Sequence, residues 1–178
     1  MPLTRSRTLV RDLMQVGVAT VPPETLITDI ARLMLEKNLE AVIVLDKDEG
    51  HALGVVGQEE LVQAYARIGW DSSSKDVPTA ADVMREGIPQ VPPDIPLTAA
   101  AQMMRDQNER TFFLMHHAGG VIYPAASLSY QHVLRHLAAQ DEEDLRGLGV
   151  EAERKNPIEA FVERRDEARR KAGSKQAK

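Results

Sequence analysis

The sequence predicts an α+β fold made of two tandem β-α-β-β-α repeats, followed by a C-terminal charged helix. Three observations predict this class: an internal repeat, a Val-Pro-Pro triplet in each copy, and apolar runs that alternate between helical and extended spacing. Ten residues of the first copy recur 70 positions later: Asp12, Met14, Gly17, Val21, Pro22, Pro23, Thr28, Ala31, Met34 and Asn38 match Asp82, Met84, Gly87, Val91, Pro92, Pro93, Thr98, Ala101, Met104 and Asn108. Two copies are too few for a solenoid, so we expect a pair that closes on itself.

The first half of each copy predicts a helical turn, a short strand and a helix. The turn falls at Val10–Met14 or Ala81–Met84, and the strand after it ends at the two prolines, which offer no hydrogen bond to a neighbouring strand. Apolar residues at i, i+3, i+4 and i+7 then predict an amphipathic helix, at Ile27, Ile30, Ala31 and Met34 and again at Leu97, Ala100, Ala101 and Met104. We expect Thr25 to cap the first helix and Pro96 to lie near the start of the second. Asn38 and Asn108 are expected to end them.

The second half of each copy predicts a hairpin and a closing helix. Short apolar runs at Ala41–Leu45 and Thr111–Met115 are typical of buried strands. Their partners are expected at Leu53–Val56 and Val121–Leu128, where Pro124 predicts an edge or a bulge. The closing helices are expected at Gln58–Ile68 and Tyr130–Ala139. The chain then divides into a first repeat (8–69), a linker (70–80), a second repeat (81–140) and a tail (141–178).

Composition excludes several kinds of site. The chain has no cysteine, which rules out disulfides, thiolate metal sites and a cysteine nucleophile. The N-terminal residues lack the apolar core of a signal peptide, and no apolar run approaches the roughly 20 residues of a membrane span. We therefore expect a soluble, cytoplasmic protein that does not enter a membrane. The net charge is −5, with a basic segment from Arg154 onward and an acidic body before it, which argues against nucleic acid as a partner of the body.

The element order, the Asp-x-Met opening and the Val-Pro-Pro triplet together resemble the cystathionine-β-synthase (CBS) domain. Two tandem copies resemble a CBS pair, or Bateman module, over about residues 8–140. The resemblance implies that the two units pack sheet to sheet about a pseudo-twofold axis and that two pairs assemble into a homodimer. It also implies an adenosine-containing ligand, such as AMP, ADP, ATP or S-adenosylmethionine, in the clefts between the repeats. No cofactor is required.

The resemblance directs attention to a Gly-h-x-Ser/Thr-x-x-Asp stretch before the last helix of each repeat, in which h is apolar and the hydroxyl and carboxylate hold a ribose. The first copy lacks the hydroxyl and has Glu60 in place of the acid. The second copy keeps Ser129 but has His132 at the acidic position, where a protonated imidazole could donate to a phosphate. Glu60 and Ser129 have a purely structural alternative, because both residue types are favoured at a helix start.

Further ligand contacts follow from the same resemblance. Thr20, Val21 and Gln90 are expected at the cleft entrance. The start of the second strand supplies candidates for packing on adenine, namely Ala41, Val42, Thr111 and Phe112. Phe112 has an alternative role as an ordinary core residue of a buried strand, and that role is the favoured one.

The histidines do not predict a metal site. His132 and His136 are spaced i, i+4 on one helix, but the segment lacks the Glu of a zinc-protease helix and no third ligand is set by spacing. Exposed histidines on a helix explain the pattern equally well. No glycine-rich phosphate loop or Gly-x-Ser-x-Gly motif is present, so we expect no enzymatic activity.

The tail predicts a charged helix that starts at Asn156–Pro157. It carries a small apolar face, at Ile158, Phe161 and Val162, and basic residues beyond that face. A helix that docks on a partner protein, the other protomer or nucleic acid and a charged extension without a target remain equally open. The leading prediction is a non-catalytic, homodimeric regulator that senses an adenosine-type ligand and modulates a partner protein. The alternatives are a ligand-free structural dimerisation module and a nucleic-acid accessory protein that acts through the basic tail.

Overall fold

The computed structural model describes residues 8–46, 50–68, 77–118 and 121–148. A 3-10 turn at Val10–Asp12 is followed in chain order by β1 (Gln15–Val16), β2 (Thr20–Val21), α1 (Ile27–Glu36), β3 (Ala41–Leu45), β4 (Ala52–Gly57), α2 (Gln58–Ile68), α3 (Ala80–Val83), β5 (Arg85–Glu86), α4 (Leu97–Gln107), β6 (Thr111–Ala118), β7 (Val121–Ser129), α5 (Tyr130–Ala138) and α6 (Glu142–Gly147). Residue 69 of the predicted first repeat, residues 70–76 of the predicted linker, and the tail beyond residue 148 with its predicted charged helix lie outside the described residues.

Two sheets form the centre of the molecule. The first has the strand order β2-β3-β4-β5, with β2 parallel to β3 and the other neighbours antiparallel. The second has the order β1-β7-β6, in which both pairings are antiparallel. The α+β class and the paired arrangement of the two repeats are thus confirmed.

Each repeat contributes its opening segment to the other repeat. β1 pairs with β7 of the second copy, and β5 pairs with β4 of the first copy. The helical turns follow the same exchange, because the Val10 N–H donates to the Ile95 carbonyl (3.0 Å) and the Ala80 N–H donates to the Thr25 carbonyl (2.7 Å). The two repeats therefore interlock.

The apolar interior has three parts. One cluster in each repeat packs a sheet against its helices, and each includes residues of the exchanged opening segment of the other copy. The third cluster lies between the sheets and contains Ile43, Val55, Phe113 and Met115. Since it draws on β3 and β4 of the first repeat and on β6 of the second, this cluster holds the two sheets face to face.

Several local expectations can be compared with the structure. Asn38 and Asn108 adopt left-handed backbone angles (φ 51° and 55°) just after α1 and α4, as predicted for residues that end helices. The register of β6 and β7 shifts next to Pro124, which confirms the predicted bulge. The predicted Thr25 cap is wrong. α1 begins after Leu26, whose apolar side chain cannot cap the helix, and Leu26 is bridged to Thr79 of the linker.

Candidate functional site

Two clefts open where the repeats meet. Cleft 1 has a volume of about 390 Å³ and lies between the end of α1, the start of α5 and the β1 segment. Its walls are Leu13, Met14, Gln15, Val16, Lys37, Asn38, Leu39, Glu40, Ala41, Thr111, Ser127, Ser129, Gln131, His132 and Arg135.

Cleft 2 is the counterpart of cleft 1 on the other side of the module and has a volume of about 320 Å³. It lies between the end of α4, the start of α2 and β5. Its walls are Glu40, Ala41, Val55, Gly57, Gln58, Glu59, Glu60, Gln63, Arg85, Gln107, Asn108, Glu109, Arg110 and Thr111. Glu40, Ala41 and Thr111 line both clefts, as expected for residues near the axis that relates the repeats.

The start of α5 forms one wall of cleft 1. Ser129 is the N-cap residue, and its backbone N–H donates to Nδ1 of His132 (2.9 Å). The Ser129 hydroxyl lies 3.1 Å from the same nitrogen. An imidazole therefore takes the place that a carboxylate occupies in a capping box.

The His132 side chain is buried, with 6% of its surface exposed. Burial, and secondarily the charge of Arg135, lower its pKa from the ordinary value to about 4. The ring is neutral near pH 7, and because Nδ1 accepts the Ser129 N–H, the proton is assigned to Nε2. A protonated His132 that donates to a phosphate is therefore not the form expected near neutral pH.

The two histidines considered as metal ligands lie on the same helix, α5. His132 and His136 are both buried, so the alternative that they are exposed histidines is wrong. Across the described ranges, no three His, Asp or Glu side chains are grouped so that they could hold a metal ion.

A carboxylate reaches the start of α5 from the first repeat. Glu40 Oε1 accepts the backbone N–H of Gln131 (3.1 Å). The amides of Asn38 and Gln131 exchange hydrogen bonds of 3.1 and 3.4 Å beside it. Burial raises the pKa of Glu40, and polar groups at the start of α5 and the Arg110 guanidinium offset this only in part. These contacts join the two repeats along one wall of cleft 1.

Cleft 2 is organised around an arginine. Arg85 pairs with both carboxylate oxygens of Glu109 (2.5 and 2.8 Å), and its Nε donates to Glu60 Oε1 (3.3 Å). The other oxygen of Glu60 accepts the Gly57 N–H at the start of α2 (2.8 Å). The Glu109 carboxylate is the main cause that raises the pKa of Arg85. Both Glu60 oxygens are thus already engaged within the protein.

The structure brings some of the predicted site residues together and separates others. Ala41, Thr111, Ser129 and His132 line cleft 1, and Glu60 lines cleft 2 with Ala41 and Thr111. Val21, Val42 and Phe112 lie in the apolar core, and Thr20 and Gln90 are exposed. These last five residues line neither cleft.

Sequence reasoning missed Glu40, Arg85, Glu109 and Gln131 as cleft residues. Glu40 follows a helix end and precedes a buried strand, and Arg85 follows a helical turn. Such positions carry no periodic signal, and the only available hint was that the repeat places Glu40 opposite Arg110, residues of opposite charge.

A family model described as the CBS domain matches residues 10–67 and 80–123. The chain belongs to the CBS domain family. The two matches fall on the two repeats, so the module is a tandem CBS pair, or Bateman module, as the resemblance implied. Within the described residues, none of the helices combines the length and apolar character needed to cross a membrane.

Relatives of this CBS pair include proteins of known structure. An uncharacterized protein from Methanocaldococcus jannaschii is 38% identical over 58 residues, 33% of this chain and 34% of that protein, so the chain spans about a third of this relative's length. CBSX2 in complex with AMP gives a TM-score of 0.55 at 23% identity, covering 72% of this chain and 95% of that one. The CBS domain pair of protein MJ0100, in complex with 5′-methylthioadenosine and S-adenosyl-L-methionine, gives 0.60 at 15% identity, covering 73% and 95%. At these identities the structural likeness shows the fold alone.

Proposed function

We propose that this CBS pair is a non-catalytic regulatory protein that binds an adenosine-containing ligand between its repeats and modulates a partner protein. The observation that carries the proposal is cleft 1, which places the N-cap Ser129 and the buried Thr111 on a shared wall between the repeats. Relatives with the same fold are described in complex with AMP or with S-adenosyl-L-methionine and 5′-methylthioadenosine, which supports an adenosine-type ligand. No cofactor is needed for this function.

Cleft 1 is the better candidate for the ligand. Its volume of about 390 Å³ falls in the range of small-molecule sites, and Ala41 supplies a small apolar wall. Lys37 and Arg135 also line it and bring positive charge that suits a phosphorylated or carboxylated ligand. Cleft 2 is lined by four glutamates and two arginines, a net charge of −2, which favours a neutral or cationic ligand.

We also propose that the protein is a homodimer whose interface is the outer face of α2 and α5. Val62 and Tyr65 on α2, and Leu134 and Leu137 on α5, are each between 58% and 67% exposed. The repeat makes Val62 equivalent to Leu134 and Tyr65 equivalent to Leu137, so both helices present the same apolar face. A pair of related apolar helix faces on one module suits association with a second copy.

Calorimetry on the purified, tag-free full chain tests the ligand proposal. AMP, ADP, ATP, 5′-methylthioadenosine and S-adenosylmethionine would be titrated separately, and native mass spectrometry would identify any small molecule that copurifies. We expect saturable binding of at least one of them. Failure of all of them to bind would remove the sensor function.

One observation favours a second candidate, a ligand-free structural dimerisation module. The Arg85 guanidinium already pairs with Glu60 and Glu109, which gives cleft 2 internal partners for its charges. A homodimer that binds none of the nucleotides would support this candidate.

The third function, in which the basic tail binds nucleic acid, concerns residues outside the described ranges. Deletion of residues 154–178 would abolish a salt-sensitive gel shift if that function is correct.

A further inference from the structure

We propose that Glu40 is a specificity-determining residue of cleft 1, which selects ligands that present hydroxyl or amino hydrogen-bond donors, rather than a phosphate, to the start of α5. This inference rests on the proposed ligand-binding function. The second repeat has a histidine, His132, where the CBS motif has a carboxylate. We infer that Glu40 of the first repeat supplies that carboxylate.

The two oxygens of the Glu40 carboxylate have different surroundings. Oε1 accepts the Gln131 N–H at 3.1 Å, which holds the side chain against the start of α5. Oε2 is buried and has no partner at hydrogen-bond geometry in the described part of the chain, although the Ser129 hydroxyl and the Tyr130 backbone help to lower the pKa of the carboxyl. A buried carboxylate oxygen without a donor is costly, and native structures seldom leave one in that condition without a functional reason.

Thr111 presents a second buried polar atom on the same cleft wall. Its side chain is 8% exposed, and the Oγ1 atom has no hydrogen-bond partner among the residues described. Glu40 and Thr111 are among the three residues that line both clefts. An ionised carboxylate only accepts, whereas a hydroxyl can donate or accept. Ligand donors, such as the vicinal hydroxyls of a ribose or an amino group, are the kind of partner that these two atoms lack.

The same geometry disfavours an anion at this end of the cleft. The start of an α-helix normally favours a negative group, because its backbone N–H groups point outward. At α5 a backbone N–H of the first turn already donates to Glu40, so a phosphate at this position would meet a carboxylate. A phosphorylated ligand must therefore direct its phosphate elsewhere in cleft 1, where Lys37 and Arg135 also line the wall.

The test compares the full-length wild-type chain with Glu40→Gln by calorimetry, using adenosine, 2′-deoxyadenosine, 3′-deoxyadenosine, inosine and AMP. Glutamine keeps an oxygen for the Gln131 N–H but removes the charge. Glu36→Gln is the matched control, because Glu36 is exposed and lines neither cleft. Melting temperatures of all three proteins establish that they are folded.

We expect wild type to prefer adenosine over at least one of the donor-deleted analogues by about tenfold, the usual worth of a charge-assisted hydrogen bond. Glu40→Gln should weaken adenosine by about tenfold, abolish that preference and raise the affinity for AMP relative to adenosine. Glu36→Gln should change none of these ratios.

Two results would overturn the inference while the proposed function stands. One is a wild-type protein that binds all four nucleosides with equal affinity. This result can be read from the wild type alone, without the Glu40→Gln variant. The other is Glu40→Gln with wild-type affinities and preferences. If the wild type binds neither a nucleoside nor AMP and also binds none of the nucleotides above, the proposed function and this inference fall together.

Discussion

The backbone N–H of Ser129 donates to the Nδ1 atom of His132 across 2.9 Å, so a neutral imidazole caps the helix that borders cleft 1. This arrangement couples stability to pH. Burial lowers the pKa of His132 to about 4, below the roughly 6.5 of an unfolded histidine. Between these two values the unfolded chain binds more protons than the folded one, so stability is complete above about pH 6.5 and is lost as the pH falls toward 4.

The corresponding prediction concerns His132→Gln, which can keep the cap but cannot titrate. Relative to this variant, the wild type should lose about 2 kcal/mol of unfolding free energy between pH 7 and pH 5. Urea denaturation at the two pH values measures the difference, and the contribution of Glu40 is common to both proteins. His117→Gln, a change at an exposed histidine, is the control and should follow the wild type. Equal pH slopes in the wild type and His132→Gln would contradict the assignment.

The ion pairs in cleft 2 should contribute modestly to stability. Arg85→Ala removes the bidentate pair with Glu109 and the contact with Glu60, which leaves two carboxylates near each other. Because the Arg85 side chain is 46% exposed, we expect a loss of only about 1 kcal/mol in urea denaturation. Arg32→Ala, which breaks the exposed i, i+3 pair with Asp29, should cost about 0.3 kcal/mol. An Arg85→Ala variant as stable as Arg32→Ala would show that the cleft 2 pairs carry no special weight.

The proposed dimer interface can be tested with one charge. Leu134→Glu places a carboxylate in the exposed apolar face of α5, where burial against a second copy would desolvate it. Light scattering after size-exclusion chromatography should show a dimer for the wild type and a monomer for the variant. Leu35→Glu is the matched control, since Leu35 is 83% exposed but lies on α1, outside the proposed interface. A variant that stays dimeric would place the interface elsewhere.

Substitutions of Phe112 test whether this residue is a core residue or a ligand contact. Its side chain is fully buried in the core of the second repeat and lines neither cleft. Phe112→Ala should lower the unfolding free energy by about 3–5 kcal/mol, because it leaves a cavity. Phe112→Leu fills most of that space and should be milder, with nucleotide affinity within about twofold of the wild type. A tenfold loss of affinity in a folded Phe112→Leu protein would restore Phe112 as a ligand contact.

Local sequence patterns predicted much of the fold. The 70-residue repeat, the apolar stripes of α1 and α4, the buried strands and the bulge beside Pro124 were all readable, because each depends on residues a few positions apart or on a comparison of the two copies. Some site residues were also accessible in this way. Ser129 entered the candidate site through the resemblance to CBS domains, and its place at a helix start was readable because a hydroxyl before a helix is a local signal.

Three-dimensional packing settled the rest. The exchange of β1 and β5, the approach of Glu40 to Gln131 and the burial of His132 involve partners far apart in the chain, and Glu40 and Gln131 are separated by 91 positions. No periodicity in the chain encodes such partners, because they are selected by which surfaces meet when the two repeats close on each other. For the same reason, the charge state of His132 depends on a core that exists only once the chain is folded.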